Sequence, residues 1–379
     1  MSDRKLALLG IIAVLMVGWA VLQNRISQNV NTADFSSSAL IEGLQIEAVS
    51  TITVTSEKGE KITTLNRKGG VFVVADKDNY PADVAAVNTL LNGCLDIRTR
   101  EKITDNPDNH ADLGVTPETA RCVVSFLDAD GGEIVALVIS KDEDSGAAFA
   151  RLLSEMSVYS IQYPPQIKTD PMDFVDAQLL QVPQEQLSSV AVRTGEDSYV
   201  LTASDDASDI ELKDMPAGKQ YKEKIYRTVF GALRSLQFDG VVGAENVPQA
   251  LQFDSVYTCK LKDKTVYKLE LAKKDDTAYA KVSADYLDKS PVEKTVGQVE
   301  SEEELKVKEA KLLAIDVVKA FNQKHGNWVY EISAASAENL MKPLSELLED
   351  IPESEAEQEN VEEPTGMKSV FDTVPSNVQ

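Results

Sequence analysis

The chain reads as α+β: two tandem similar units of mainly antiparallel β-sheet with helices packed on one face, after an N-terminal transmembrane helix. Three observations predict this. Short runs of alternating apolar and polar residues, bounded by turn signals, recur along most of the sequence. Amphipathic stretches of helical period interrupt them at a few defined places. The order of these elements also comes twice.

The first element is Leu6 to Leu22, an unbroken apolar run entered by Arg4 and Lys5 and left at Arg25. Seventeen residues rise about 26 Å as a helix, close to a hydrocarbon core of about 30 Å. Trp19 suits an interfacial anchor better than a cleavage site. Residues 1–25 are therefore expected to span a membrane, N-terminus inside, with the body exported. Residues 26–43 are polar and Ser-rich and read as a tether.

Residues 44–182 form the first unit. Ser50–Thr55 and Ile62–Leu65 read as a hairpin around Glu57-Lys58-Gly59-Glu60, with Val71–Ala75 as a third strand. Pro81-Ala82-Asp83 opens a helix whose Val84, Val87, Leu90, Leu91 and Leu95 share a face. Strands follow at Cys122–Leu127, Ile134–Ile139, Ala147–Leu152 and Val158–Gln162. The second unit, residues 183–350, begins at Val182-Pro183 and repeats the pattern. Leu187–Val192 answers Ala48–Val54, and Tyr221–Leu236 has the place of the first helix. Val256–Leu261, Val266–Leu271 and Ala278–Val282 repeat the strand order, and Val329-Tyr330-Glu331-Ile332 answers Val158-Tyr159-Ser160-Ile161.

The copies differ at one point. Five residues separate Leu152 from Val158, but 46 separate Val282 from Val329. In that insertion Ser301-Glu302-Glu303-Glu304 is a capping box, opening a helix over about 301–324. Leu305, Leu312, Leu313, Val317 and Phe321 can share an apolar face, packed on the domain itself or offered to a partner protein. From about Ile351 the chain is an acidic, Pro-containing tail, expected to be disordered over 351–379. Between Pro343 and Met367 nine Asp and Glu face no Lys or Arg.

A net charge of −24 argues against nucleic acid, which demands Lys and Arg clusters. Cys94, Cys122 and Cys259 form no CxxC; Cys94 with Cys122 is the pair that could bridge inside one unit, and burial as small apolar side chains is the other reading. His110 and His325 lack any zinc-site context. The loop Asp105–Asp112 has oxygen ligands for Ca²⁺ but not EF-hand spacing. Asp142-Glu143-Asp144 and Asp205-Asp206 read as hairpin-tip carboxylates. No phosphate-binding, dinucleotide-binding or GxSxG motif occurs. No catalytic, cofactor-binding or metal residue is nominated.

Asn79-Tyr80-Pro81-Ala82-Asp83 ahead of Leu90-Leu91 resembles the domain-of-unknown-function family numbered 4340. So do Asp112-Leu113-Gly114-Val115-Thr116-Pro117, Phe149-Ala150-Arg151 ahead of Val158-Tyr159, and Phe174-Val175-Asp176. The resemblance covers Leu44 to about Val182, and the second copy lacks the Leu-Gly-Val-Thr-Pro element. It implies a bacterial inner-membrane protein with an N-terminal anchor, set beside ABC-type transport systems of the gliding-motility auxiliary kind. It transfers no catalytic residues.

The leading expectation is a non-catalytic, membrane-anchored, extracytoplasmic accessory or scaffold, its partner an ABC-type permease or auxiliary subunit. The alternative is a module binding a small ligand or lipid between the two repeats. A hydrolase with unrecognised residues is the third class.

Overall fold

A computed structural model describes residues 38–351, apart from 60–61, 142–145, 205–208, 250 and 293–300; most expected strands of the first unit lie within a residue or two of the observed ones, while Thr99–Thr104 and Asp197–Ala203 are strands that the alternation did not predict. The apolar run Leu6–Leu22, most of the tether, the acidic tail and the Asp142–Asp144 and Asp205–Asp206 carboxylates lie outside the described residues. Among the described residues no helix is long and apolar enough to cross a membrane. The chain divides into Met1–Asp176 and Ala177–Gln379. This boundary precedes Val182-Pro183 because Gln178–Leu180 pairs with Leu236–Gln237 of the second unit.

Unit 1 contains β1 (Thr51–Ser56), β2 (Ile62–Lys68), β3 (Val71–Val74), β4 (Tyr80–Pro81), α1 (Val84–Leu95), β5 (Thr99–Thr104), β6 (Cys122–Leu127), β7 (Glu133–Ile139), β8 (Ala147–Leu152) and β9 (Val158–Gln162). The strands form one sheet in the order β4-β3-β2-β1-β6-β7-β8-β9-β5, with every neighbour antiparallel. Register sets Ile52 against Leu65 and Phe126, and Val124 against Val54 and Leu137. All of these are fully buried. Each such side chain contributes about 1.5–3 kcal/mol relative to exposure.

Helix α1 starts where Asp83 accepts a hydrogen bond from the Ala85 N–H at 2.9 Å. It buries Val87, Leu90, Leu91 and Cys94, whereas Val84 is exposed and Leu95 half-buried. The expected face was thus rotated: at 100° per residue Val84 and Leu95 fall on the rim and Cys94 near the centre. The end of the expected tether is also not free. Leu40 and Ile41 are buried, and the Leu40 N–H donates to the Ile97 carbonyl at 3.0 Å. Two adjacent apolar residues are enough to dock that stretch.

Unit 2 contains β10 (Gln178–Leu180), β11 (Leu187–Thr194), β12 (Asp197–Ala203), β13 (Ile210–Leu212), β14 (Lys219–Tyr221), α2 (Ile225–Phe230), β15 (Leu236–Gln237), β16 (Gly240–Gly243), β17 (Ser255–Leu261), β18 (Thr265–Lys274), β19 (Thr277–Tyr286), α3 (Glu302–His325), β20 (Trp328–Ile332), α4 (Ala334–Leu340), α5 (Leu344–Leu347) and β21 (Leu348–Asp350). Its main sheet runs β13-β12-β11-β17-β18-β19-β20-β16, and β10-β15 and β14-β21 are two-stranded ribbons. The expected helix Tyr221–Leu236 shrinks to Ile225–Phe230. Tyr221 belongs to β14, where it pairs with Leu348. Gly231 then ends the helix, and the chain turns so that Leu236 meets Leu180.

The connection between α4 and α5 rests on one cation. The Lys342 side chain is buried, and its Nζ donates to Glu338 at 2.8 Å and to Glu346 at 3.1 Å. The Glu338 hydrogen bond raises Lys342 above its ordinary 10.5 and holds Glu338 below its ordinary 4.5. A raised lysine contributes fully below its unfolded value and loses that contribution as pH climbs through the folded one. A lowered carboxylate contributes fully above its unfolded value and loses that as pH falls through the folded one. The tether is therefore complete between those limits. Amide exchange in α4, corrected for intrinsic rate, should accelerate as pH drops below the ordinary carboxylate range. Lys342→Met should abolish that acid limb; an unchanged profile would refute the assignment.

Candidate functional site

Helix α3 is the element whose surface is least accounted for by its own unit. Its start is specified by sequence: the Ser301 side chain accepts from the Glu304 N–H at 3.3 Å, and the Ser301 N–H donates to Glu304 Oε2 at 2.9 Å. Glu302, Glu303 and Glu304 occupy the first turn and Lys324 and His325 the last, which complements the helix dipole at both ends.

The C-terminal half packs on the sheet through Ala314 and Val318, which meet Ala284 and Tyr286 with Phe321 and Tyr267 beside them. Phe321 stands edge-on to Tyr267 at 5.2 Å and lies 4.5 Å from His325. His325 Nδ1 is 2.6 Å from the Tyr330 hydroxyl. A polar clasp reinforces this packing. Asn322 Oδ1 accepts from the Ala284 N–H and its Nδ2 donates to the Ala284 carbonyl, both at 2.8 Å. The clasp has a clear cause: β20 pairs with β19 only over Ala278–Ala280, so the remainder of that β19 edge needs another partner.

Further forward, Lys311 Nζ holds Asp288 at 2.9 Å and the Ser290 carbonyl at 2.7 Å. Hydrogen bonds from Ser290 and Lys311 keep the Asp288 carboxyl well below its usual range. Beyond Lys311 toward the N-terminus the helix overhangs: from Ser301 to Ala310 every residue but Lys308 is exposed. Val307 lies on the sheet-facing stripe yet is 69% exposed.

The five nominated residues therefore do not act together. Leu305, Leu312, Leu313 and Val317 retain 51%, 50%, 64% and 47% exposure, whereas Phe321 turns to the sheet. The reason is angular. Leu305 and Phe321 are sixteen residues apart, about 160° around the helix, so one face cannot hold both. The small residues Ala314 and Val318, which let the helix approach β19, carry the docking that the sequence reading gave to the larger side chains.

Two further concavities lie among the described residues. A groove of about 570 Å³ lies between α1 and residues 165–175. Its charged groups are already engaged: Asp83 caps α1, and Lys168 faces Asp173 at 3.5 Å. In unit 2 a hollow of about 620 Å³ on the sheet is lined by Ala191, Val200, Val256 and Thr258, with Arg193, Lys213 and Lys268 around it. Cys94, Cys122 and Cys259 are buried thiols outside any disulfide. Burial pushes Cys94 and Cys259 up to about 12, with neighbouring Cys122 adding to the shift at Cys94, so both stay protonated at neutral pH. His110 is buried with Nε2 3.0 Å from the Met156 carbonyl. In the Asp105–Asp112 loop, Lys102 bonds Asp105 at 2.7 Å and lowers its pKa, and Asn106 caps the Asp108 N–H. Among the described residues no group of His, Cys, Asp or Glu could hold a metal ion.

The sequence motifs of unit 1 meet one another in pairs. The Asp83 N–H donates to the Phe174 carbonyl at 2.8 Å, joining Asn79–Asp83 to Phe174–Asp176. Buried Arg151 donates from Nε to the Val115 carbonyl at 2.8 Å, and from Nη1 to the carbonyls of Leu152, Leu153 and Glu155 at 3.2, 3.1 and 3.0 Å. Gly114 makes this possible at φ +66°, a conformation that side chains resist. The loop so held packs Leu113, Val115 and Ala120 on Val123, Val138 and Val158.

The sequence profile of a family described as "Domain of unknown function (DUF4340)" matches residues 73–256. Over that span the chain is similar to the DUF4340 family. The DUF4340 segment starts inside β3 and ends inside β17, so it crosses the boundary between the units; it begins later than the Leu44–Val182 span expected for the resemblance and extends beyond its end. No curated protein matches the chain. All four paired motifs lie within the DUF4340 segment, whereas α3 lies beyond it. Arg151 and Asn322, which hold these parts in place, were missed as such. Arg151 sat inside a recognised motif, but its target carbonyl is 36 residues away.

Proposed function

We propose that the chain is a membrane-anchored, extracytoplasmic, non-catalytic scaffold whose outward α3 face binds another protein, in the service of an ABC-type envelope transport system. The observation that carries this reading is the exposed row Leu305, Leu312, Leu313 and Val317 on a helix fixed from behind by Asn322, Phe321 and Lys311. Exposed apolar side chains on a rigid element cost solubility and are the common mark of an interaction surface. Leu6–Leu22 would supply the anchor, and the family resemblance supplies the transport setting.

The two units are also read as tandem copies. Taken strand for strand, β3-β2-β1-β6-β7-β8-β9-β5 corresponds to β13-β12-β11-β17-β18-β19-β20-β16, with a helix before β5 and before β16. On that reading α3 is an addition to one copy between its last two long strands, which is where a duplicated framework would acquire a new contact.

The test uses the full chain solubilised from membranes. Wild-type protein should retain an ABC-type permease or auxiliary subunit through chemical cross-linking and purification. Leu305→Asp with Leu313→Asp should reduce that capture at least tenfold without altering the far-ultraviolet circular dichroism. Release of the full chain by carbonate would reject the anchor, and undiminished capture by the double variant would reject α3 as the contact.

A further inference from the structure

We infer that the hollow on the unit 2 sheet is the dock for this chain's own acidic segment, Pro352–Glu363. The first argument is charge. In a chain with 62 Asp and Glu against 38 Lys and Arg, the hollow is lined by three cations, Arg193, Lys213 and Lys268, and one acid, Asp214. Among the described residues Arg193 and Lys213 make no ion pair, and Lys268 pairs with Glu270 at 2.6 Å. Both side chains of that pair are well exposed, so it exchanges at little cost. Residues 352–363 hold six Glu and no Lys or Arg.

The second argument is spacing. Directly opposed residues of antiparallel strands point to the same face of a sheet. Register sets Ala191 between Val200 and Thr258, and Thr258 beside Lys268. At the other end of this row the Lys213 N–H donates to the Val200 carbonyl at 2.9 Å. From Lys213 to Lys268 the row crosses four strand spacings, about 19 Å. Arg193 lies two residues along from Ala191, opposite Val256, near the middle of that span. An extended chain covers about 20 Å in six residues and presents alternate side chains on one side. Glu353, Glu355, Glu357 and Glu359 occupy such alternate positions over six residues. Half-buried Ala191, Val200, Val256 and Thr258 form the floor between the cations.

The third argument is reach. Leu344 also lines the hollow, seven residues before Ile351, the last described residue. The Ile351 N–H donates at 3.1 Å to the carbonyl of Gly218, which is five residues after Lys213. Exposed ion pairs are individually weak. A short tether, however, gives the segment an effective concentration of about millimolar, so an affinity of that order fills the hollow about half the time. Docked there, the segment competes with any other acidic peptide for this face.

Zero-length carbodiimide cross-linking of the detergent-solubilised full chain at low salt tests this, read by mass spectrometry from an equal mixture of isotope-labelled and unlabelled protein. Amide bonds should join Glu353–Glu359 to Lys213 or Lys268 within single chains. Arg193→Glu with Lys213→Glu should lower the yield of bonds to Lys268 at least fivefold. Adding Glu355→Lys and Glu357→Lys should restore linkage of the segment to the hollow to within about threefold, because the pairs are regenerated with their signs exchanged. Arg193 and Lys213 are exposed, so unchanged circular dichroism guards against misfolding. Wild type without such bonds, bonds that join labelled to unlabelled chains, a yield indifferent to the double reversal, or a fourfold variant no better than the double would each overturn the docking.

Discussion

Arg151→Met should destabilise unit 1 by about 3–5 kcal/mol, seen as a fall in the urea midpoint of its transition. The guanidinium is buried without a carboxylate and is satisfied by four backbone carbonyls, those of Val115, Leu152, Leu153 and Glu155. Burial lowers its pKa, but arginine keeps its charge throughout the accessible range. Methionine fills similar space and leaves these acceptors without their donor. The loop bearing Leu113, Val115 and Ala120 would then lose its fastening over Val123 and Val138. Arg151→Lys should recover less than half of the loss, since a single ammonium cannot reach both Val115 on one side and the Leu152–Glu155 turn on the other. Equal stability of the lysine and arginine chains would show that the fork geometry is immaterial.

This arginine marks where a reading of the sequence stops. Period-two alternation placed β1 and β2, where one face is buried, short apolar runs placed β6 to β9, of which β6 and β7 bury both faces, and the Asp83 cap placed α1 because its signal is local. The α+β class followed from those elements. What escaped were contacts between distant residues. Phe149-Ala150-Arg151 announced a strand, but nothing nearby says that the side chain of the third residue, which stays paired with Val138, reaches the Val115 carbonyl. Helical period likewise gave α3 its length and its capping box, but not its orientation. Phe321 and Leu305 both looked like face residues, and only the shortness of β20 decides that Phe321 turns inward. The error at Tyr221–Leu236 has the same origin. Its spacing suits a helix, yet the ribbons β10-β15 and β14-β21 claim both ends of that stretch from partners far along the chain.

Asn322→Ala should release α3 from the sheet while leaving the sheet folded. Two hydrogen bonds to Ala284 disappear, together worth about 2–3 kcal/mol when their backbone partners remain part-buried. Exchange of the α3 amides should therefore quicken about 30- to 160-fold, with β11 and β17 unchanged. Asn322→Asp keeps the acceptor for the Ala284 N–H but loses the donor for its carbonyl, and should fall between. Exchange in α3 that tracked the wild type in both chains would mean that Phe321 and Val318 hold the helix unaided. The variant also separates two ways in which the outer leucines could bind. Asn322 lies on the docked side, so Leu305, Leu312 and Leu313 remain chemically intact when it is removed. If association persists with a loosened helix, the leucines bind as an adaptable apolar strip. If it falls in step with faster exchange, the partner recognises a helix held at a fixed angle, and the clasp on β19 is part of the interface although it never touches it.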